Sequence, residues 1–359
     1  MKKLALLCII LFYFLFINAN AQVSIALIDS NHFIVGNGVS LSKTSFRGLS
    51  VVDDHTIWVS GSRGTFARSR DGGKSFEFRQ LEKYPNSDFR DIEAFDAQNA
   101  VMMSSGSPAY ILKTSDGGES WKEVFKDTLP EMFLDALDFW DSKHGVVLGD
   151  PIHHHFVLAE THDGGESWKF LDTSHTPIAL DNEAVFAASG TSLRCYGKNE
   201  FAFVSGGNSS RFIHKSADNK WNYRPIPEFC LNKKSAGAFS FARDKNQIIV
   251  VGGDYINDKI DSANTAYFPM MKAAKKSFNV KGYRSGIEMI NIQSKHCKAF
   301  ACGTSGVDIL TENGWMTISN ESFHVVKKAK RGNAVFLAGG KGRIGVMRGD
   351  RKGKLERGS

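Results

Sequence analysis

Ser69-Arg70-Asp71-Gly72-Gly73-Lys74-Ser75-Phe76, Thr114-Ser115-Asp116-Gly117-Gly118-Glu119-Ser120-Trp121 and Thr161-His162-Asp163-Gly164-Gly165-Glu166-Ser167-Trp168 are three copies of one box, with aspartates 45 and 47 residues apart. A period of that size is the length of one four-stranded propeller blade, so the repeat sets the architecture before any site is considered. An Asp between two strands accepts hydrogen bonds from the backbone of its own turn, and Gly supplies the positive φ such turns need. The hydroxyl two residues earlier ties the incoming strand to the turn, and the Phe or Trp anchors the next strand. On this reading Asp71, Asp116 and Asp163 are folding staples on the rim rather than reactive groups.

Outward from the boxes, short apolar strands alternate with Gly, Asn and Asp turns, with no sustained helical period. Seven units can be counted. The first three begin at Phe46, Phe89 and Phe133, and the fourth near Glu183-Ala184-Val185-Phe186, ending in a damaged box, Ser216-x-Asp218-x-x-Trp221. The fifth holds Phe239-Ser240-Phe241 and Ile248–Gly253, with its box eroded around Ser262 and Asn264 and an irregular or helical excursion over Ala263–Ser277. The sixth starts at Tyr283-Arg284-Ser285 and the seventh at Phe323. The expectation is an all-β, seven-bladed β-propeller spanning 22–349 as one domain. Trp58, Phe95, Phe139, Phe203, Val250, Phe300 and Phe336 form its core. At least one of the segments Ile25–Ile28 and His32–Val35 closes the ring through the last blade.

Lys2-Lys3, the apolar run Leu4–Ile17 and Ala19-Asn20-Ala21 before Gln22 have the form of a secretory signal peptide over 1–21. The run is short for a bilayer crossing. Export to the periplasm, cell envelope or medium is the expectation, with a polar, frayed tail over 350–359. Cys195, Cys230, Cys297 and Cys302 remain after the leader. They include no CxxC pair, and a Cys195–Cys230 bridge stays open. Lys and Arg total 45 against 38 Asp and Glu, a formal charge of +7. The excess includes Lys327, Lys328, Lys330 and Arg331, a solvated face or a contact for an anionic membrane surface or glycan. No aromatic-basic pattern for nucleic acid is present.

The Asp-boxes, the Phe-Arg-Gly and Phe-Arg-Asp-Ile starts at Phe46 and Phe89, and Gly149-Asp150-Pro151, Ala187–Thr191, Val251–Tyr255 and Gly282–Gly286 resemble one known family. It is the photosystem II assembly and stability factor-like family of seven-bladed propellers, whose exported bacterial homologues carry the label oxidoreductase. The resemblance covers nearly the whole chain after the leader and implies a binding platform, as in the photosynthetic relatives. No Gly-x-Gly-x-x-Gly opens a βαβ unit, so no cofactor is expected.

Arg47, Arg90 and Arg284 stand one residue after an aromatic in three units. In equivalent registers their guanidiniums would converge on one end of the central channel, with Asp91, Asp135 and Glu183 as counter-charges. That is a pocket for a carboxylate or other anion, or a set of interblade ion pairs. Asp150 and Asp254-Tyr255 follow apolar strands at a common offset, either as acidic site residues or as turn caps. His153, His154 and His155 are adjacent and cannot all face one ion, so no metal site is expected. The expected function is an exported, non-catalytic, monomeric scaffold for an envelope protein or glycan. The alternative is a sialidase-like or lyase-like enzyme that uses the arginines with Tyr283 or Tyr255.

Overall fold

A computed structural model describes residues 23–229, 231–245, 247–269, 278–290 and 297–349. The leader, the tail and Cys230 lie outside the described residues. Seven antiparallel sheets form a ring, with inner strands Phe46–Val51, Asp88–Ala94, Leu134–Phe139, Leu193–Tyr196, Ala236–Arg243, Gly286–Met289 and Val325–Lys328. Inner strands of neighbouring blades pack on one another, except that blade four meets the inner strand of blade five mainly through its second strand, Glu200–Val204; the seventh returns to the first, where Lys330 N donates to Val51 O. Val23–Leu27 pairs antiparallel with Ile344–Gly349 and becomes the outermost strand of blade seven. The second early segment does something else. Phe33–Val35 runs parallel to Phe76–Gln80 and makes blade one five-stranded.

Successive side chains of a strand point to opposite faces, so each central strand feeds the interfaces on both sides of its blade. Val59 packs against blade seven with Phe336, while its neighbour Trp58 packs against blade two with Ile92 and Met102. Eight apolar clusters result among the described residues, one in each of the seven interblade seams and one of Ala188, Phe239 and Tyr283. Of the expected core only Phe95 is not fully buried, because it sits at a turn beside Phe139.

The three boxes have nearly superimposable hydrogen bonds. In the second, Thr114 Oγ1 donates to Asp116 Oδ1 at 2.8 Å and accepts from Gly118 N at 2.9 Å, and Ser120 Oγ donates to Asp116 Oδ2 at 2.6 Å. A second repeat braces them. Asp53, Asp96 and Asp141, between the first two strands of their blades, each accept two backbone N–H bonds, from His55 and Thr56, Gln98 and Asn99, and Lys143 and His144. The carbonyls of His55, Gln98 and Lys143 then accept from Gly72, Gly117 and Gly164 of the box in the same blade.

Three boundaries differ from expectation. Blade four begins at Leu193, not at Glu183; Glu183–Ala184 instead pairs with Gly206–Gly207, which leans on Gly237 of blade five. Ser262 and Asn264 precede the third strand of blade five, Thr265–Pro269, so they are not its box, and 265–269 is strand rather than an excursion. Residues 270–277 lie outside the described residues. Asp150 and Asp254 end up in second strands, Gly145–Ile152 and Gln247–Asp254.

Candidate binding site at the channel mouth

Four inner strands carry a register shift near their start, and the shifted residues are Arg47, Arg90, Asp135 and Phe239. A β-bulge re-aims the extra side chain out of the sheet's alternation. Here the side chains meet at one end of the channel, around the segment Val185–Ser192 that leads into blade four. Arg47 Nη1 donates to Ala188 O at 3.4 Å and Arg90 Nη1 to Ala187 O at 3.3 Å. Asp150 Oδ1 accepts from Val185 N at 2.9 Å, and Ser189 Oγ donates to Ser285 O at 2.7 Å. Gly190 adopts φ +66, and a Cβ there would stand 2.1 Å from Asp91 Oδ1. The segment is therefore a plug gripped from blades one, two, three and six.

Arg47 and Arg90 are both half-buried. Arg90 Nε pairs with Asp88 at 2.8 Å, whereas Arg47 makes no ion pair among the described residues. Burial, then the charge of Arg90, lowers the Arg47 guanidinium from its ordinary value. His324 is pushed down to about 3 by burial and by Arg47, Arg90 and Arg343, so it is neutral. Beneath them Asp135 is fully buried; burial and then Asp150 push its carboxyl well above the carboxylate range, against Arg90 and the backbone N–H groups of Ala187 and Asp150. Asp150 is raised by burial to about 6. Beside the arginines Phe186 stacks on Phe239 with centroids 4.0 Å apart, and Tyr283 and the half-exposed Tyr255 meet Phe239 edge-on. Ile256 and Ile260 are exposed on the loop that follows Tyr255.

The expected three-arginine cluster does not form. Arg284 lies two residues ahead of its strand, outside any bulge, and its N–H bonds Gly252 O of blade five. Its guanidinium is fully buried on Asp308, with Nε and Nη2 at 2.9 and 2.7 Å. Asp91 and Glu183 are not counter-charges for Arg47 and Arg90. Asp91 accepts from Ile92 N and Leu137 N in the seam between blades two and three. Glu183 takes both Nε and Nη2 of Arg211. Asp254 caps its own loop. Burial opposes its ionisation, but hydrogen bonds from Asn257, Ser235 and Ile256 hold its carboxyl below the usual range. Tyr283 is buried and its phenol is pushed up by that burial. His153 and His154 turn between two strands with φ 51 and 65. Sequence reading missed Asp88, Phe186, Phe239 and His324. Asp88 was legible, since residues two apart on a strand share a face.

Residues 37–131 match the sequence model of photosynthesis system II assembly factor YCF48. That match covers about the first quarter of the ring, and the fold of the whole is a seven-bladed propeller. The solved structure of YCF48 bound to D1 peptide superposes with a TM-score of 0.60 at 14% identity, over 92% of this chain and 96% of that one. YCF48 from Cyanidioschyzon merolae gives 0.59 at 13%, over 90% and 98%. The WD40 propeller domain of Doa1 gives 0.56 at 13%, over 92% and 97%. At these identities the likeness of this ring to the solved structures is one of fold. No curated protein matches the sequence.

Proposed function

We propose that this ring is an exported, non-catalytic binding scaffold, and that its channel mouth captures an envelope protein through a carboxylate on an extended segment. The observation that carries the reading is the pair of bulged arginines. Arg47 and Arg90 each spend one Nη1 on a plug carbonyl; among the described residues neither Nη2 makes a hydrogen bond, and Asp88, already paired with Arg90, is the carboxylate that acts on Arg47. Such guanidiniums bind carboxylates as forks. The neighbouring Phe186, Phe239 and Tyr255, with Ile256 beyond, offer apolar side chains a place to pack. The D1 peptide bound by one fold relative supports a protein segment over a glycan. The leader over 1–21 supports export.

The test is binding of fluorescent nonapeptide libraries with free or amidated C-termini to the secreted protein. Tighter binding of the free-acid library, weakened at least about tenfold in Arg47→Gln/Arg90→Gln, is expected. Equal binding of both libraries, or competition only by uronate polymers, overturns the carboxylate-peptide reading. Hydrolysis of sialosides or cleavage of uronates, lost in Arg90→Ala, would replace the scaffold with an enzyme.

A further inference from the structure

At the opposite end of the channel one guanidinium spans three blades. Arg194, second residue of the inner strand of blade four, passes blade five and donates from Nη2 to Ile287 O at 3.1 Å and Glu288 Oε2 at 2.7 Å in blade six. Near this end of its inner strand blade five places the small Ala242 between Phe241 and Arg243, all three on the cavity that Arg194 borders. Among the described residues Nε of Arg194 is buried without a partner, and Nη1 makes no hydrogen bond. The side chain divides two cavities. One, of about 680 Å³, is lined on blades four and five by Tyr196, Arg243 and Lys245. The other, of about 370 Å³, runs towards Glu93, Asp138 and Lys327.

The acidic groups here are already engaged. Glu288 is held by Arg194, Glu93 by Lys330, Asp138 accepts N–H bonds from Phe139 and Cys195, and Asp244 accepts from Gln247 N. The basic groups are not matched in the same way. Lys327 is half-buried and makes no ion pair among the described residues, Arg243 lies over the Tyr196 ring at 4.5 Å, and Lys245 is exposed. A buried guanidinium edge with two unused N–H groups, amid surplus cations, is the complement of two oxygens on one atom.

We propose that this end of the channel is a second binding site, for a compact oxyanion (a carboxylate or phosphate group) seated on the Nε–Nη1 edge of Arg194, with Lys327 and Arg243 as flanking charges. It uses none of the residues placed at the mouth, and Asp91 is the acid between them that acts on both Arg194 and Lys327.

Inorganic phosphate and citrate titrated separately into the secreted protein, followed by the arginine Nε–H resonances, test it. A saturable downfield shift of the Arg194 signal is expected. Arg194→Lys, which keeps the charge but not the fork, should weaken binding at least about tenfold, and Lys327→Met about threefold. The arm that binds more tightly names the oxyanion. Circular dichroism confirms that the Arg194→Lys variant folds, and Lys327→Met reads the site if it does not. A linear, unsaturated response, unchanged affinity in both variants, or affinity lost only in Arg90→Gln would overturn the site.

Discussion

Arg90 in blade two donates to the carbonyl of Ala187, a residue 97 positions later in the chain, on the segment entering blade four. Arg47 does the same to Ala188 from blade one. The two bonds hold a stretch of chain that has no strand partner of its own over Val185–Ser192. The same arginines that would meet a ligand therefore also hold the floor of the site.

That coupling is open to measurement. In Gly190→Ala the new methyl would press on Asp91 Oδ1 and the backbone would keep a left-handed φ, which costs an L-residue about 1–2 kcal/mol before any clash. We expect amides 185–192 to exchange with deuterium at least about tenfold faster, with the Asp-box strands unchanged. Arg90→Gln should give the same pattern more weakly. Uniform acceleration over the whole ring would show that the plug is not a separate unit.

Asp91 sets a pH dependence. Burial lifts its carboxyl to about 7, against 3.8 for an exposed one, with Lys327 and the N–H groups of Leu137 and Ile92 opposing. The folded protein keeps that proton where an unfolded chain has released it, so lower pH favours folding across this window. The contribution is full near pH 4 and falls away as pH rises to about 7, at roughly 1.4 kcal/mol per unit before other groups are counted. Asp91→Asn should flatten the melting temperature between pH 5 and 7.5. An unaltered profile would place the ionisation elsewhere.

Glu183 and Arg211 form a buried fork, with Glu183 Oε2 2.5 Å from Nη2. Removing one partner strands a charge, so Glu183→Gln should cost about 3–5 kcal/mol in urea unfolding. Glu183→Met with Arg211→Met should recover most of it, because an apolar pair of similar volume needs no desolvation. A double variant no better than the single one would contradict this account.

The turn at His153-His154 has two consecutive left-handed residues, the pattern that hairpins satisfy with Asn-Gly. His153→Asn/His154→Gly is expected to raise stability by about 1 kcal/mol, read as a higher denaturant midpoint. A loss of stability would mean that the imidazoles contribute through contacts beyond the turn.

Much was legible in the linear chain because it is written in local, repeated chemistry. Asp116, Thr114 and Ser120 are within six residues of one another, so the box can be read, and its spacing counts blades. Trp58, Phe203 and Phe336 follow from strand alternation. The second repeat at Asp53, Asp96 and Asp141 was present too, but a lone Asp before a strand resembles any turn.

Sequence alone therefore determined the seven-bladed ring, its closure by an early strand and the Arg47–Arg90 pair as a candidate. Tertiary structure decided which arginines share a site. Phe46-Arg47, Phe89-Arg90 and Tyr283-Arg284 look alike in one dimension, yet the first two arginines sit on bulges, while Arg284 precedes its strand and is captured by Asp308. A bulge is a one-residue difference in pairing between two strands, and pairing is a property of two segments at once, so neither segment encodes it alone.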